Sequence, residues 1–191
     1  MVVPSLSPSM SKAELRIGTR AARKAYVSSL SEADRRALEE RLAGRLRPLI
    51  ERSRSVGGYH AVGSEIDVAP AMALAQEHAL PTFDEEQEIF RFRRGPASTT
   101  GPHGIPQPPS QAPILSCALV LVPLLAIDPQ GHRLGQGGGH YDRALPLLRK
   151  AGSTLIGVGW SMQRLDFEMP HEPWDVALDG FASPAGLEMF R

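Results

Sequence analysis

The chain has 191 residues, 42% of them hydrophobic, one cysteine, and 21 acidic against 21 basic residues. That length suits one sizeable core, and the charge balance leaves no overall field to draw the chain to nucleic acid or an anionic membrane. No apolar stretch approaches the roughly 20 residues of a membrane helix. Cys117 has no partner for an internal disulfide, and MVVPSLSPSM lacks the basic and apolar regions of a secretion signal. These features predict a cytosolic chain with a loose tail over residues 1–10 and a single domain over 11–191.

In chain order, Ser11 and Glu14 form a capping-box pattern, and Leu15, Ala22, Tyr26 and Leu30 recur at helical spacing through a basic first helix. Ser31 with Asp34 opens a second helix, whose Leu38, Leu42, Leu46, Leu49 and Ile50 draw one apolar stripe. VGGYHAV (56–62) reads as a strand, VAPAMALAQEHAL (68–80) as a helix, LPTF (80–83) as a second strand, and the alternating IFRF (89–92) as a strand with one wet face. Residues 95–113 are too rich in proline, glycine and serine for a helix or central strand and read as a long lid or binding loop. CALVLVP (117–123), STLIGVGW (153–160) and DVALDGFA (175–182) read as strands, with DRALPLLRKAG (142–152) a helix between the first two. Alternating strands and helices predict an α/β fold: a mostly parallel sheet with helices on both faces.

One stretch carries chemistry. In RLGQGGGHYDRAL (133–145), Gly135, Gly137, Gly138 and Gly139 stand between a strand and a helix. Bare backbone N–H groups and the helix dipole can hold phosphate oxygens there, while a simple flexible turn needs the same glycines. The spacing is neither a Walker A loop nor a tight Rossmann turn. Asp142 fits as N-cap of a helix beginning at Arg143; equally, a carboxylate beside phosphates calls for a divalent cation such as Mg²⁺ between them. Arg133 can clamp the same phosphates, and Tyr141 can pack on a ring or donate its hydroxyl. Glu65 and Asp67, in GSEID after the first strand, stand where open α/β sheets bind ligands, and suit a turn or helix cap as well. The six histidines lack zinc-site spacing, and no GxSxG marks a nucleophilic serine.

Five ordered blocks together resemble the 5-formyltetrahydrofolate cyclo-ligase (methenyltetrahydrofolate synthetase) family: KAELR, GYHAVGSEID, GIPQP, LVPLLAIDPQGHRLGQGGGHYDRAL and MPHEPWDVALDG. The resemblance implies a three-layer α/β/α fold and a cytoplasmic ligase, expected to be a monomer. Its implied reaction uses ATP and Mg²⁺ to cyclise 5-formyltetrahydrofolate to 5,10-methenyltetrahydrofolate by phosphorylating the formyl oxygen, with release of ADP and phosphate. It places Lys12 and Arg16 against ATP, and Arg133, Leu134, Gly135, Gln136, Gly137, Gly138, Gly139, His140 and Tyr141 around its phosphates. Asp142 and Asp175 correspond to the magnesium ligands. Glu65, His60, Gln136 and His140 correspond to folate contacts, His103 to an aromatic residue against the pterin, and Arg133, Tyr141 and Asp142 to the catalytic set. Gln136 and Gly138 stand where some members carry Arg and Lys, His140 replaces a tyrosine, and Trp174 sits where relatives often have another residue. Those departures keep a second reading open, a relative that binds folate or nucleotide without turning it over.

Overall fold

A computed structural model describes residues 6–83 and 89–190, with the side chain of His103 outside the description. Of the tail expected over 1–10, residues 1–5 therefore lie outside the described residues. Leu6 and Met10 are partly buried against a small apolar cluster.

Among the described residues, seven strands form one sheet in the order β11-β10-β9-β6-β1-β2-β3. Its centre is β6 (Leu119–Pro123), paired in parallel with β9 (Thr154–Val158) on one side and β1 (Val56–Gly57) on the other. Next to these, also parallel, lie β10 (Gly180–Ser183) and β2 (His78–Thr82). The edges are antiparallel: β11 (Gly186–Met189) on β10 and β3 (Arg91–Arg93) on β2.

Alternation along the central strands sorts the core into two layers. Leu119, Leu121, Ile156 and Val158 meet Leu42, Leu46 and Ile50 of α2 (Glu32–Arg52). Val120, Val122 and Leu155 face the opposite way, onto Ala144 and Leu145 of α4 (His140–Lys150). Each fully buried aliphatic side chain contributes about 1.5–3 kcal/mol, so both faces of the sheet must be covered, giving the three-layer α/β/α sandwich. No helix among the described residues is long and apolar enough to cross a membrane.

Helix α1 (Lys12–Ser28) begins with the expected capping box: the Glu14 N–H donates to Ser11 Oγ, and the Ser11 N–H donates to Glu14 Oε2 at 2.8 Å. It docks through Leu15 onto Leu125, Ala126 and Leu134. These three belong to or adjoin a short ribbon, β7 (Ala126–Ile127) against β8 (Arg133–Leu134), that no sequence pattern announced.

Several boundaries differ from expectation. The first strand stops at Gly57 rather than Val62, because Tyr59 and His60 turn off the sheet end into a cleft. The helix expected over 68–80 is one turn, α3 (Ala69–Met72), since β1 recruits His78 and Ala79 as parallel partners. The late strand begins at Gly180 rather than Asp175. The long loop contains a small hairpin, β4 (Thr99–Thr100) on β5 (Pro106–Gln107), around a 3₁₀ turn at Pro102–Gly104.

Cys117 is buried, and desolvation pushes its thiol up to about 12. The thiolate is the reactive form, so the folded chain should resist a disulfide reagent at mildly alkaline pH and release one equivalent of thiol on unfolding in denaturant.

Candidate functional site

A cleft of about 890 Å³ opens at the carboxyl ends of the parallel strands, where α/β sheets of this kind bind ligands. The glycine stretch forms one wall, the turn after β1 a second, and α1 a third. Eleven of the expected residues line it: His60, Glu65, Arg133, Gly135, Gln136, Gly137, Gly138, Gly139, His140, Tyr141 and Asp142.

The backbone explains the glycines. Gly137 has φ +102° and Gly139 φ +69°, left-handed conformations that a side chain would strain. Gly139 is the N-cap of α4, which starts at His140 and not at Arg143. Asp142 is therefore not the cap but a first-turn residue, where the positive end of the helix dipole favours a carboxylate. Gly139 supplies no capping side chain, and the positive end of the α4 dipole lies on the cleft wall, where it favours an anion.

Arg133 reaches this wall from β8. Its guanidinium is ion-paired with Asp142, donates to the Pro123 carbonyl at 3.3 Å, and lies 5.5 Å from the centre of the Tyr141 ring. The Arg133 side chain is 6% exposed and that of Asp142 57%, so the pair joins a buried cation to a solvent-facing anion. Among the described residues, Arg133 Nε and the Tyr141 hydroxyl are buried without hydrogen-bond partners, and burial drives the Tyr141 hydroxyl well above its ordinary pKa. Tyr141 stays a neutral phenol with a proton to donate.

Helix α1 supplies a row of guanidinium groups. Arg16 Nε donates to the Gly135 carbonyl at 3.1 Å, and Arg20 Nη2 donates to Gln136 Oε1 at 3.1 Å and to the Gln136 carbonyl at 3.3 Å. Arg23, 4% exposed, donates to Ser64 Oγ at 3.1 Å and to the Leu124 carbonyl at 3.3 Å. Desolvation lowers the Arg23 pKa, and the Glu65 carboxylate, 3.8 Å away, acts in the opposite direction. Glu65 also accepts from the Val62 N–H at 3.0 Å and from Gln136 Nε2 at 3.2 Å, so its carboxylate is held from several sides at the rim. Arg20, Arg23 and Tyr59 line the cleft and were not among the residues expected from sequence. The four- and three-residue spacing from Arg16 to Arg20 to Arg23 puts them on one helical face, a signal present in the basic first helix. Arg20 lays a cation on Gln136.

Other expected residues lie elsewhere. Lys12 donates to Asp175 at 2.6 Å, outside the cleft wall. Partial burial would raise the Asp175 pKa, but the Lys12 ammonium and the Glu172 N–H outweigh it and hold the carboxyl below its usual range. Leu134 turns its side chain into the core beside Leu15. His103 sits in the 3₁₀ turn of the long loop, with its side chain outside the description. His140, by contrast, stays in the cleft wall and packs edge-on against Phe83, ring centres 4.8 Å apart.

The chain is 36% identical over 66 residues to the 5-formyltetrahydrofolate cyclo-ligase of Haemophilus influenzae, an alignment that spans only 35% of that relative's length. It is 32% identical over 171 residues to the enzyme of that name from Mycolicibacterium smegmatis, covering 82% of this chain and 87% of the relative. Its fold matches the solved structure of Aquifex aeolicus 5,10-methenyltetrahydrofolate synthetase with a TM-score of 0.77 and 30% identity, over 95% of this chain and 94% of that one. The model of the 5-formyltetrahydrofolate cyclo-ligase family matches residues 8–184, the span that carries the sheet apart from its edge strand β11, together with α1 and the glycine wall, and the chain belongs to that family.

Proposed function

We propose that this chain cyclises 5-formyltetrahydrofolate to 5,10-methenyltetrahydrofolate at the expense of ATP, with Mg²⁺, releasing ADP and phosphate. The observation that carries the reading is the wall from Arg133 to Asp142: glycine backbone in left-handed turns, a helix N-terminus capped by glycine, and a buried guanidinium paired with an exposed carboxylate, all on one cleft. The residues fit the implied ligands. Asp142 offers hard oxygen donors to a magnesium ion, and the α4 N–H groups, Arg133 and Arg16 suit phosphate oxygens. Asp175 is proposed as a further oxygen donor, and Lys12 as its cationic partner until nucleotide arrives. Bound nucleotide and cation would supply a transferable phosphoryl group and neutralise its charge.

The formamide oxygen is a poor leaving group. Phosphoryl transfer to it makes a good one; the neighbouring nitrogen 10 then forms the new C–N bond as the C–O bond breaks and phosphate departs. The protein's work is positioning and electrostatics. Glu65, held by Val62 and Gln136, would accept the paired N–H donors of the pterin ring and fix its register. Arg133, packed on Tyr141 and tied to Pro123, keeps its charge in place while anionic charge spreads. Tyr141, a neutral phenol whose hydroxyl has no hydrogen-bond partner among the described residues, would donate a hydrogen bond to an oxygen brought into the cleft.

The test follows product directly. With 5-formyltetrahydrofolate, Mg²⁺ and ATP, near-ultraviolet absorbance of the methenyl product should rise, with one ADP formed per product and nothing without ATP. Ligand binding without product would instead establish the non-catalytic relative.

A further inference from the structure

We propose a second cation site, away from the cleft, in which His132 and His171 bind a divalent transition metal of the zinc, nickel or cobalt class. The two imidazoles stack with ring centres 3.8 Å apart and planes 10° from parallel. They come from different segments: His132 from the turn between β7 and β8, His171 from the stretch that leads to Asp175. The buried carboxylate of Asp128 lies beside them, and one nitrogen of each ring and an oxygen of that carboxylate all lie within 4.8 Å of one another.

Hydrogen bonding fixes both tautomers. Asp128 accepts the N–H groups of Gln130 at 3.0 Å, His132 at 2.9 Å and Met169 at 3.2 Å, and its Oδ2 is 3.1 Å from His132 Nδ1. A carboxylate that gathers N–H donors in this way takes a fourth from the ring, so His132 Nδ1 carries the hydrogen. His171 Nδ1 is 3.2 Å from the Met169 carbonyl, which can only accept, and 4.0 Å from a Glu168 carboxylate oxygen. Its Nδ1 carries the hydrogen too. In each neutral ring Nε2 is then a bare lone pair. An imidazole that gives Nδ1–H to a carboxylate or a main-chain carbonyl and keeps Nε2 free has the outer hydrogen bonding typical of metal-bound histidine. Nitrogen ligands select zinc-like ions over magnesium. The side chains are 18% and 36% exposed, which leaves a path for the ion and room for water ligands.

This inference does not depend on the proposed reaction. Its physical effect would be a tie between the hairpin that carries Arg133 and the segment that carries Asp175.

The test titrates Co²⁺ into the full chain with Mg²⁺ in excess. Visible absorption bands should saturate at one ion per chain, with a melting temperature that climbs with Co²⁺ concentration. His171→Ala, a change at a partly exposed position, should weaken Co²⁺ binding by at least ~10-fold while the metal-free melting temperature holds. A second measurement needs no variant: Zn²⁺ should shift the imidazole proton resonances of both His132 and His171. The proposal is overturned if no bands or shifts appear, if H171A binds Co²⁺ as the parent does, or if binding survives H171A and disappears in Asp142→Ala.

Discussion

Replacing Asp142 with alanine is expected to lower turnover by ~10²-fold or more, the usual cost of deleting one preorganised contact to developing charge. The loss should fall on kcat at saturating substrates, because a cation held by that carboxylate acts on charge that grows as the phosphoryl group moves. Stability should fall by less than the roughly 3–5 kcal/mol of a fully buried broken pair, because the Asp142 side chain is 57% exposed, water can take its place beside the buried Arg133, and Arg133 keeps the Pro123 carbonyl. Asp142→Asn, which keeps shape and removes charge, should be almost as slow. Steady-state appearance of the methenyl product, with a melting curve beside it, checks both halves; near-normal turnover in D142A would refute the assignment.

The second large effect concerns the fold under the cleft. Trp160 is fully buried in the α2-side core, edge-on to Tyr26 with ring centres 5.6 Å apart, and its indole Nε1 donates to the Ser64 carbonyl at 2.9 Å. Trp160→Ala should cost about 3–5 kcal/mol, the range for truncating a large core aromatic, read as a lower urea midpoint. Trp160→Phe isolates the hydrogen bond. It keeps most of the packing but leaves the Ser64 carbonyl without its indole donor, a loss of about 1–3 kcal/mol where such a group stays buried. Ser64 immediately precedes Glu65, so W160F should also raise KM for the folate while KM for ATP is unchanged. Equal effects on both would show that the indole only fills space.

The parts legible in sequence are those written locally. The α1 capping box lies within four residues, and the α2 stripe repeats on one face; both helices start where their caps predict. The mostly parallel sheet followed from strands alternating with helices, CALVLVP (117–123) and STLIGVGW (153–160) among them. The misread parts depend on partners distant in the chain. His78 and Ala79 look helical in isolation and become strand because Val56 and Gly57 offer them a parallel neighbour. Asp142 looks like a cap by residue type, but a left-handed glycine already turns the chain three residues earlier. For the candidate site, the glycine wall and Glu65 were visible as motifs. Arg20 and Arg23 were not, because their meaning comes from contacts 116 residues away at Gln136 and 101 away at Leu124.

One detail of the long loop bears on how the cleft admits its ligands. Gln107 is buried, accepts the Phe83 N–H at Oε1 (2.9 Å), and returns its Nε2 hydrogen to the Phe83 carbonyl (3.1 Å), imitating a neighbouring strand with a side chain. Phe83 in turn braces His140 at the head of α4. The loop is thus fastened to the end of β2 at its root, and that anchor forms part of the cleft wall.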